Sequence, residues 1–282
     1  MPVIGTNTAA NTAVAYLNQN SAAESSALAK ISSGSNITSA SDDAAGLAIS
    51  TTMQSDIAVL QQASTNVTNG ESVLNTADGA LSNISDVLTR MKALAAEAQS
   101  GSSDSSSLSD IQTEFSALAT EVSNIAGQTT FNGQSLLSTT NSDGSTSAFT
   151  SSQGATFLTG TDASDTISVK LSDLTSMISG LTSLDVTTTS GASAAMTALT
   201  TDIQSISTDR ASVGAQLEEL QYTGDTISTS ITNLQSANSA ITDVDLSAEQ
   251  TTYTNESTLT SAAVTALSEA NAMQGELLKV LQ

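Results

Sequence analysis

Cysteine, histidine and tryptophan are absent from this 282-residue chain, proline occurs only at Pro2, and six lysines and arginines stand against 28 acids. Each shortage removes a class of behaviour. Without cysteine there is no disulfide, no thiolate nucleophile and no cysteine-based metal site. Without histidine a helical HExxH zinc site is impossible. Aromatic residues make up 2% of the chain, which excludes a core assembled around large rings and favours thin packing of helices with small residues between them. A single proline leaves long helices uninterrupted. The net charge of −22, with Lys30, Arg90, Lys92, Lys170, Arg210 and Lys279 as the only cations, excludes nucleic acid and an anionic membrane surface as partners. No stretch approaches the ~20 apolar residues of a membrane span, and the N-terminus has no basic segment followed by an apolar one, so no cleaved secretion signal is expected.

What the chain does have is periodicity. Leu199, Ile203, Ile206, Arg210, Val213, Leu217, Leu220, Gly224, Ile227, Ile231, Leu234, Asn238 and Ile241 recur every three or four residues, the pattern of a coiled-coil seam. A matching stripe runs through Met53, Ile57, Leu60, Ser64, Val67, Glu71, Leu74, Ala77, Leu81, Ile84, Leu88, Met91 and Ala95. The two predict an elongated, mainly α-helical antiparallel bundle formed by the N- and C-terminal halves. Its seam is expected at Leu60, Val67, Leu74, Leu81 and Leu88 against Leu217, Leu220, Ile227, Ile231 and Leu234. Arg210, Gly224 and Asn238 interrupt the second stripe at fourteen-residue intervals, either fixing register from inside the seam or sitting at its rim.

A shorter amphipathic helix is expected through Leu108, Ile111, Phe115, Leu118, Val122 and Ile125, folded back on the first rod. Between residues 138 and 198 the Ser, Thr, Gly and Asp content rises. A small β-hairpin is expected there, pairing the region of Ala155–Gly160 with Thr166–Leu171 across the turn-rich Thr161–Asp165, with residues 183–195 left unassigned. Weaker stripes mark both ends: Ala10, Val14, Leu17, Leu28 and Ile31 in one, and Val264, Leu267, Leu277 and Leu281 in the other. Helices with so thin an apolar face are marginal alone in water, so each end is expected to need the other or neighbouring molecules. The resulting division is 1–42 with 244–282 as terminal helices, 43–137 with 199–243 as long-helix bundle, and 138–198 as the hairpin and loop region.

No catalytic residue, cofactor or metal ligand is expected. Asp42 and Asp43 could be imagined as an acid–base pair, but adjacent helical residues do not face each other. They read as a helix start, with Ser39 or Ser41 as its N-cap. The run from Asp243 to Glu249 lacks the central glycine of a calcium loop and reads as a break between helices.

Five blocks carry a resemblance: Ser32–Ser50, Leu74–Ala98, Thr129–Leu137 (TTFNGQSLL), Asp209–Gln221 (DRASVGAQLEELQ) and Ile231–Thr251. Together, and in this order, they resemble bacterial flagellin in a minimal form with little or no outer domain. The resemblance implies a structural subunit that polymerises into the extracellular flagellar filament, with paired terminal helices innermost. A hook–filament junction protein of the flagellin-like class is the alternative. It further implies export through the flagellar type III apparatus with an export chaperone, without signal cleavage, and contact with hook-associated and cap proteins. It also points to a surface at Arg90, Leu94 and Glu114 that an animal innate immune receptor reads in many flagellins. The alternative there is that Arg90 and Glu114 serve subunit contacts or a solvated face.

Overall fold

The computed structural model describes residues 6–100, 104–141 and 144–280. Among them are six helices and two small antiparallel strand pairs, and the fold is a helical bundle. The chain divides into two compact units, residues 1–55 with 233–282 and residues 56–232. Relative to the boundaries expected from sequence, residues 43–55 and 233–243 fall with the terminal helices, and the hairpin region falls within the larger unit.

The larger unit contains most of α2 (Ala44–Gln99), α3 (Ser105–Gln128) and most of α5 (Thr189–Thr242). Its core is a heptad seam. On α2, Leu60, Val67, Leu74, Leu81, Leu88 and Ala95 form one buried row, and Ala63, Gly70, Ala77, Ile84, Met91 and Ala98 form the second. The sequence stripe places Ser64 and Glu71 in that second row. The structure replaces them with Ala63 and Gly70, one residue earlier, and leaves Ser64 and Glu71 at the flank. The reason is steric: the helix turns its smallest side chains to its partner so that α5 can approach. A Cβ added at Gly70 would stand 3.0 Å from Leu220 Cδ1. On α5 the fully buried row is Leu199, Ile206, Val213, Leu220 and Ile227, while Leu217 is half-buried. Asp78 of α2 faces Arg210 of α5 and Gly70 faces Leu220, so the two helices run antiparallel.

Two of the seam's interruptions fall in this unit. Arg210 is a rim residue, its Nε 2.8 Å from Asp78 Oδ1 with both side chains about 40% exposed. Gly224 faces Val67, whose Cγ1 would lie 3.4 Å from an added Cβ. These two glycines give opposite predictions. Alanine at a helix interior gains about 1 kcal/mol over glycine. At Gly224 the new methyl meets ordinary contact, so Gly224→Ala raises stability by about that amount. At Gly70 it presses on the fully buried Leu220, where overpacking costs about 1–3 kcal/mol, so Gly70→Ala lowers stability. Denaturant melts of the two variants check both signs.

Helix α3 is capped by Asp104, which accepts from Ser107 N–H, and packs Ile111, Phe115, Ala119, Val122 and Ala126 inward. After it, β1 (Thr130–Phe131) and β2 (Gln134–Ser135) close on Asn132 and Gly133, both with positive φ. β3 (Ala155–Leu158) pairs antiparallel with β4 (Thr166–Val169), the hairpin expected from sequence, with Ala155 opposite Val169 and Leu158 opposite Thr166. A short helix, α4 (Thr175–Thr182), forms where hairpin and loop were expected, and the first turns of α5 fall in the unassigned residues 183–195.

Amide side chains strap this middle segment to the long helices. Gln216 donates to Lys170 O (3.0 Å) and accepts from Lys170 N–H (2.8 Å). Gln112 does the same for Leu184 O and Val186 N–H, and Asn66 donates to Leu158 O. Asn141 takes Ser135 N–H, and Ser147 Oγ donates to Ser135 O.

The smaller unit pairs α1 (Thr8–Ser33) with α6 (Leu246–Val280). They run antiparallel, since Asn7 Nδ2 donates to Ala270 O near one end (2.9 Å) and Val244 N–H donates to Gly34 O at the other (3.2 Å). Asn7 also caps α1 by accepting from Ala10 N–H.

Candidate assembly surface

In the larger unit the large apolar side chains are inside. All of the largest fully buried ones, from Leu74 to Leu88, Met91 and Leu94 on α2, Phe115 on α3, and Leu199 and Ile206 on α5, belong to it. The smaller unit reverses this. Among the described residues its buried apolar side chains are alanines, Ala10 and Ala27 from α1 and Ala263 and Ala270 from α6. Among the described residues, ten large apolar side chains are exposed, and nine of them are in this unit: Val14, Tyr16, Leu28, Leu47, Ile49, Leu246, Leu259, Val264 and Met273.

Their placement follows from helical geometry. Val14 and Leu28 are fourteen residues apart on α1, and Leu259 and Met273 are fourteen apart on α6. At two heptads each pair shares one flank of its helix. The seam between α1 and α6 is therefore made from alanine and half-buried residues, and the bulk lies beside it in solvent. The residues expected from sequence at the terminal helices divide accordingly. Ala10 is buried and Leu17, Ile31 and Leu267 half-buried within the unit, whereas Val14, Leu28 and Val264 are exposed at 40%, 51% and 52%. The Leu277 side chain and all of Leu281 lie outside the described residues. In the bundle, Leu60, Val67, Leu74, Leu81, Leu88, Leu220 and Ile227 are buried, while Leu217, Ile231 and Leu234 are half-buried.

The ends of these helices are tied by a compact joint. Ser35 bridges Asp243, and Asn36 N–H donates to Thr242 O (2.6 Å). Ser50, almost fully buried, donates to Asn238 Oδ1 (2.8 Å), so the third seam interruption is a hydrogen-bonded contact between α2 and α5. The N-cap of α2 is Asp43, accepting from Ala45 and Gly46 N–H; Ser39 and Ser41, expected in that role, bond to each other instead. Asp42 closes the preceding loop. It accepts from the Thr38 hydroxyl and from Ser39 and Thr38 N–H, and these bonds lower its pKa from 3.8 to about 2. Because the folded carboxyl is the stronger acid, this clasp is fully made above the ordinary carboxylate range and is lost only as pH falls through about 2.

Of the three residues singled out as a receptor surface, Arg90 and Glu114 pair across α2 and α3, with Nη2 2.6 Å and Nε 3.0 Å from Oε1. Leu94 is 2% exposed. It belongs to the core because it follows Met91 around the inward face of α2.

Among the described residues no helix is long and apolar enough to cross a membrane, and no cluster of three or more acidic side chains is arranged to hold a metal. The arrangement offers apolar flanks on a weakly cored helix pair, a surface suited to packing against further helices. Residues 4–142 match the bacterial flagellin N-terminal helical region, and residues 196–281 match the C-terminal one. A flagellin of Bacillus subtilis is 33% identical, with the match covering 99% of both chains. The chain belongs to the bacterial flagellin family. A flagellin of Halalkalibacterium halodurans is 31% identical over 91% of each chain. The crystal structure of Bacillus cereus flagellin superposes with a TM-score of 0.51 at 31% identity, covering 62% of this chain and 94% of that one. Flagellins are structural proteins that polymerise into the extracellular filament of the bacterial flagellum, and this chain is a structural subunit of that filament. The junction-protein alternative gains no support from these relatives.

Proposed function

We propose that the α1–α6 pair forms the inner wall of the filament by packing its exposed flanks against those of neighbouring copies. The larger unit then supplies the surrounding bundle, with residues 138–198 standing where other flagellins carry outer domains. The observation that carries this reading is the reversal of burial between the units. A side chain such as leucine or valine gains about 1.5–3 kcal/mol on full removal from water, and among the described residues nine of the ten large apolar side chains that leave much of that gain untaken are in the smaller unit.

Passage through the flagellar export apparatus with an export chaperone, and contact with hook-associated and cap proteins, belong to the same reading and are supported by family membership. For contact with an animal innate receptor, only Arg90 and Glu114 of the three residues offer exposed atoms. That favours reading them as a surface tether between α2 and α3, worth about 0–1 kcal/mol.

The test is a triple substitution, Val14→Ser, Leu28→Ser and Val264→Ser. Each removes roughly 1 kcal/mol of contact, half the value of full burial, and together they raise the critical concentration for polymerisation about 10²-fold. The melting of the monomer stays unchanged, since exposed sites shift stability by no more than about 0.5 kcal/mol. Pelleting assays across a concentration series read the effect; an unchanged critical concentration would remove these flanks from the interface.

A further inference from the structure

The tenth exposed large apolar side chain is Tyr222, 71% exposed on α5 in a unit that otherwise turns such residues inward. Glu218, Glu219 and Asp225 stand four and three residues before it and three after it, all exposed. At those spacings they share its face of the helix. None of the three has an ion pair among the described residues. The patch is thus a phenol ring among uncompensated carboxylates, and its complement is a cation on a shallow surface.

The chain offers few such cations. Arg90 is committed to Glu114 and Arg210 to Asp78. In the larger unit this leaves Lys92 and Lys170, neither in an ion pair among the described residues. The Lys170 main chain is held by Gln216, less than two turns of α5 from Tyr222, on the same stretch of the molecule. Lys92 lies elsewhere, half-buried on α2 beside the exposed small residues Thr89, Ala93 and Ala96, which leave room for a ring to lie flat.

We propose that Tyr222 and its carboxylates dock on Lys92 of a second copy. The contact rests on the filament reading and adds to it a site in the bundle, separate from the terminal helices. Tyr222 is close to the level of Gly70, because Leu220 faces Gly70 and Val67 faces Gly224. Lys92 is 22 residues further along α2 than Gly70, roughly 33 Å at 1.5 Å per residue. A closed pair satisfies both patches only if its two copies run antiparallel, whereas copies that run the same way, as along a filament, meet through these patches head to tail, the kind of contact that propagates into an open polymer.

The test uses the full-length chain in seeded filament elongation, with Tyr222→Ala, Lys92→Glu, Glu219→Lys and the double variant Lys92→Glu/Glu219→Lys. Each single change is expected to raise the critical concentration at least threefold with the monomer's circular dichroism unchanged. The double variant, which restores opposite charges across the contact, should recover most of the loss. Singles that elongate like the parent, or a double variant no better than the worse single, would overturn the contact while leaving the terminal-helix reading intact. Failure of the parent chain itself to elongate would overturn both, and the triple serine variant separates the two surfaces because it leaves Tyr222 and Lys92 in place.

Discussion

Truncation of the chain after Ala263 is expected to abolish polymerisation while residues 56–232 remain folded. The cut removes Val264 and Met273 from the exposed flanks and Leu267 and Ala270 from the seam with α1. It also removes the Ala270 carbonyl that holds Asn7, the residue that caps α1. With neither a partner helix nor a fixed first turn, α1 keeps few interactions to offset its conformational entropy. The larger unit shares none of these groups, so its thermal transition should persist. Electron microscopy of the truncated chain at high concentration checks the first half and circular dichroism melting the second. Long filaments from this chain would show that the C-terminal part of α6 has no role in assembly.

The complementary experiment strikes the interior. Phe115 is 1% exposed on α3, in the stripe that includes Ile111, Ala119 and Val122. Phe115→Ala deletes the largest fully buried side chain, and substitutions of this kind cost about 3–5 kcal/mol. Against a total stability of about 5–15 kcal/mol, that is a large fraction. For a unit of this size it corresponds to a fall in Tm of roughly 6–20 °C. A scanning calorimeter would read it directly, and a fall of less than 2 °C would mean that α3 is not fastened to the bundle through this ring. Taken with the serine triple, it separates two currencies: one set of apolar residues holds the monomer together, and the other is spent between copies.

Legibility in the sequence followed bulk. Rows of leucine and isoleucine, as in Leu74 through Met91 and Leu199 through Ile227, announced the bundle because large side chains at heptad spacing have one place to go. The same rule failed where the seam is built from small residues. Ser64 and Glu71 preserved a four–three spacing, yet Ala63 and Gly70 face α5, since closeness of approach outweighed the appearance of regularity. The β1–β2 hairpin had a readable signal in Asn132-Gly133, the pair that favours a tight turn with positive φ at both positions, and it was obscured by the shortness of its strands. Helix α4 had less to offer: eight residues without a side-chain cap give too little periodicity to separate from loop. Leu94 illustrates the limit of carrying a surface role across by position, because the inward face of α2 returns at that residue. Which apolar residues of the terminal helices stay exposed was not readable from their spacing. Val14 and Leu17 belong to one stripe, and only the alanine-lined geometry of the α1–α6 pair divides them.

The amide straps of Gln216, Gln112 and Asn66 bear on a hazard particular to a protein that lives among dense copies of itself. Short hairpins leave outward-pointing main-chain groups, and such borders invite a strand from a stranger to add on. Here Asn66 at Leu158 and Gln216 at Lys170, with Asn141 and Ser147 at the first hairpin, occupy peptide groups at those borders, while Gln112 does the same for the segment between α4 and α5. Accretion by strand pairing is thereby discouraged, and orderly growth is left to the helices.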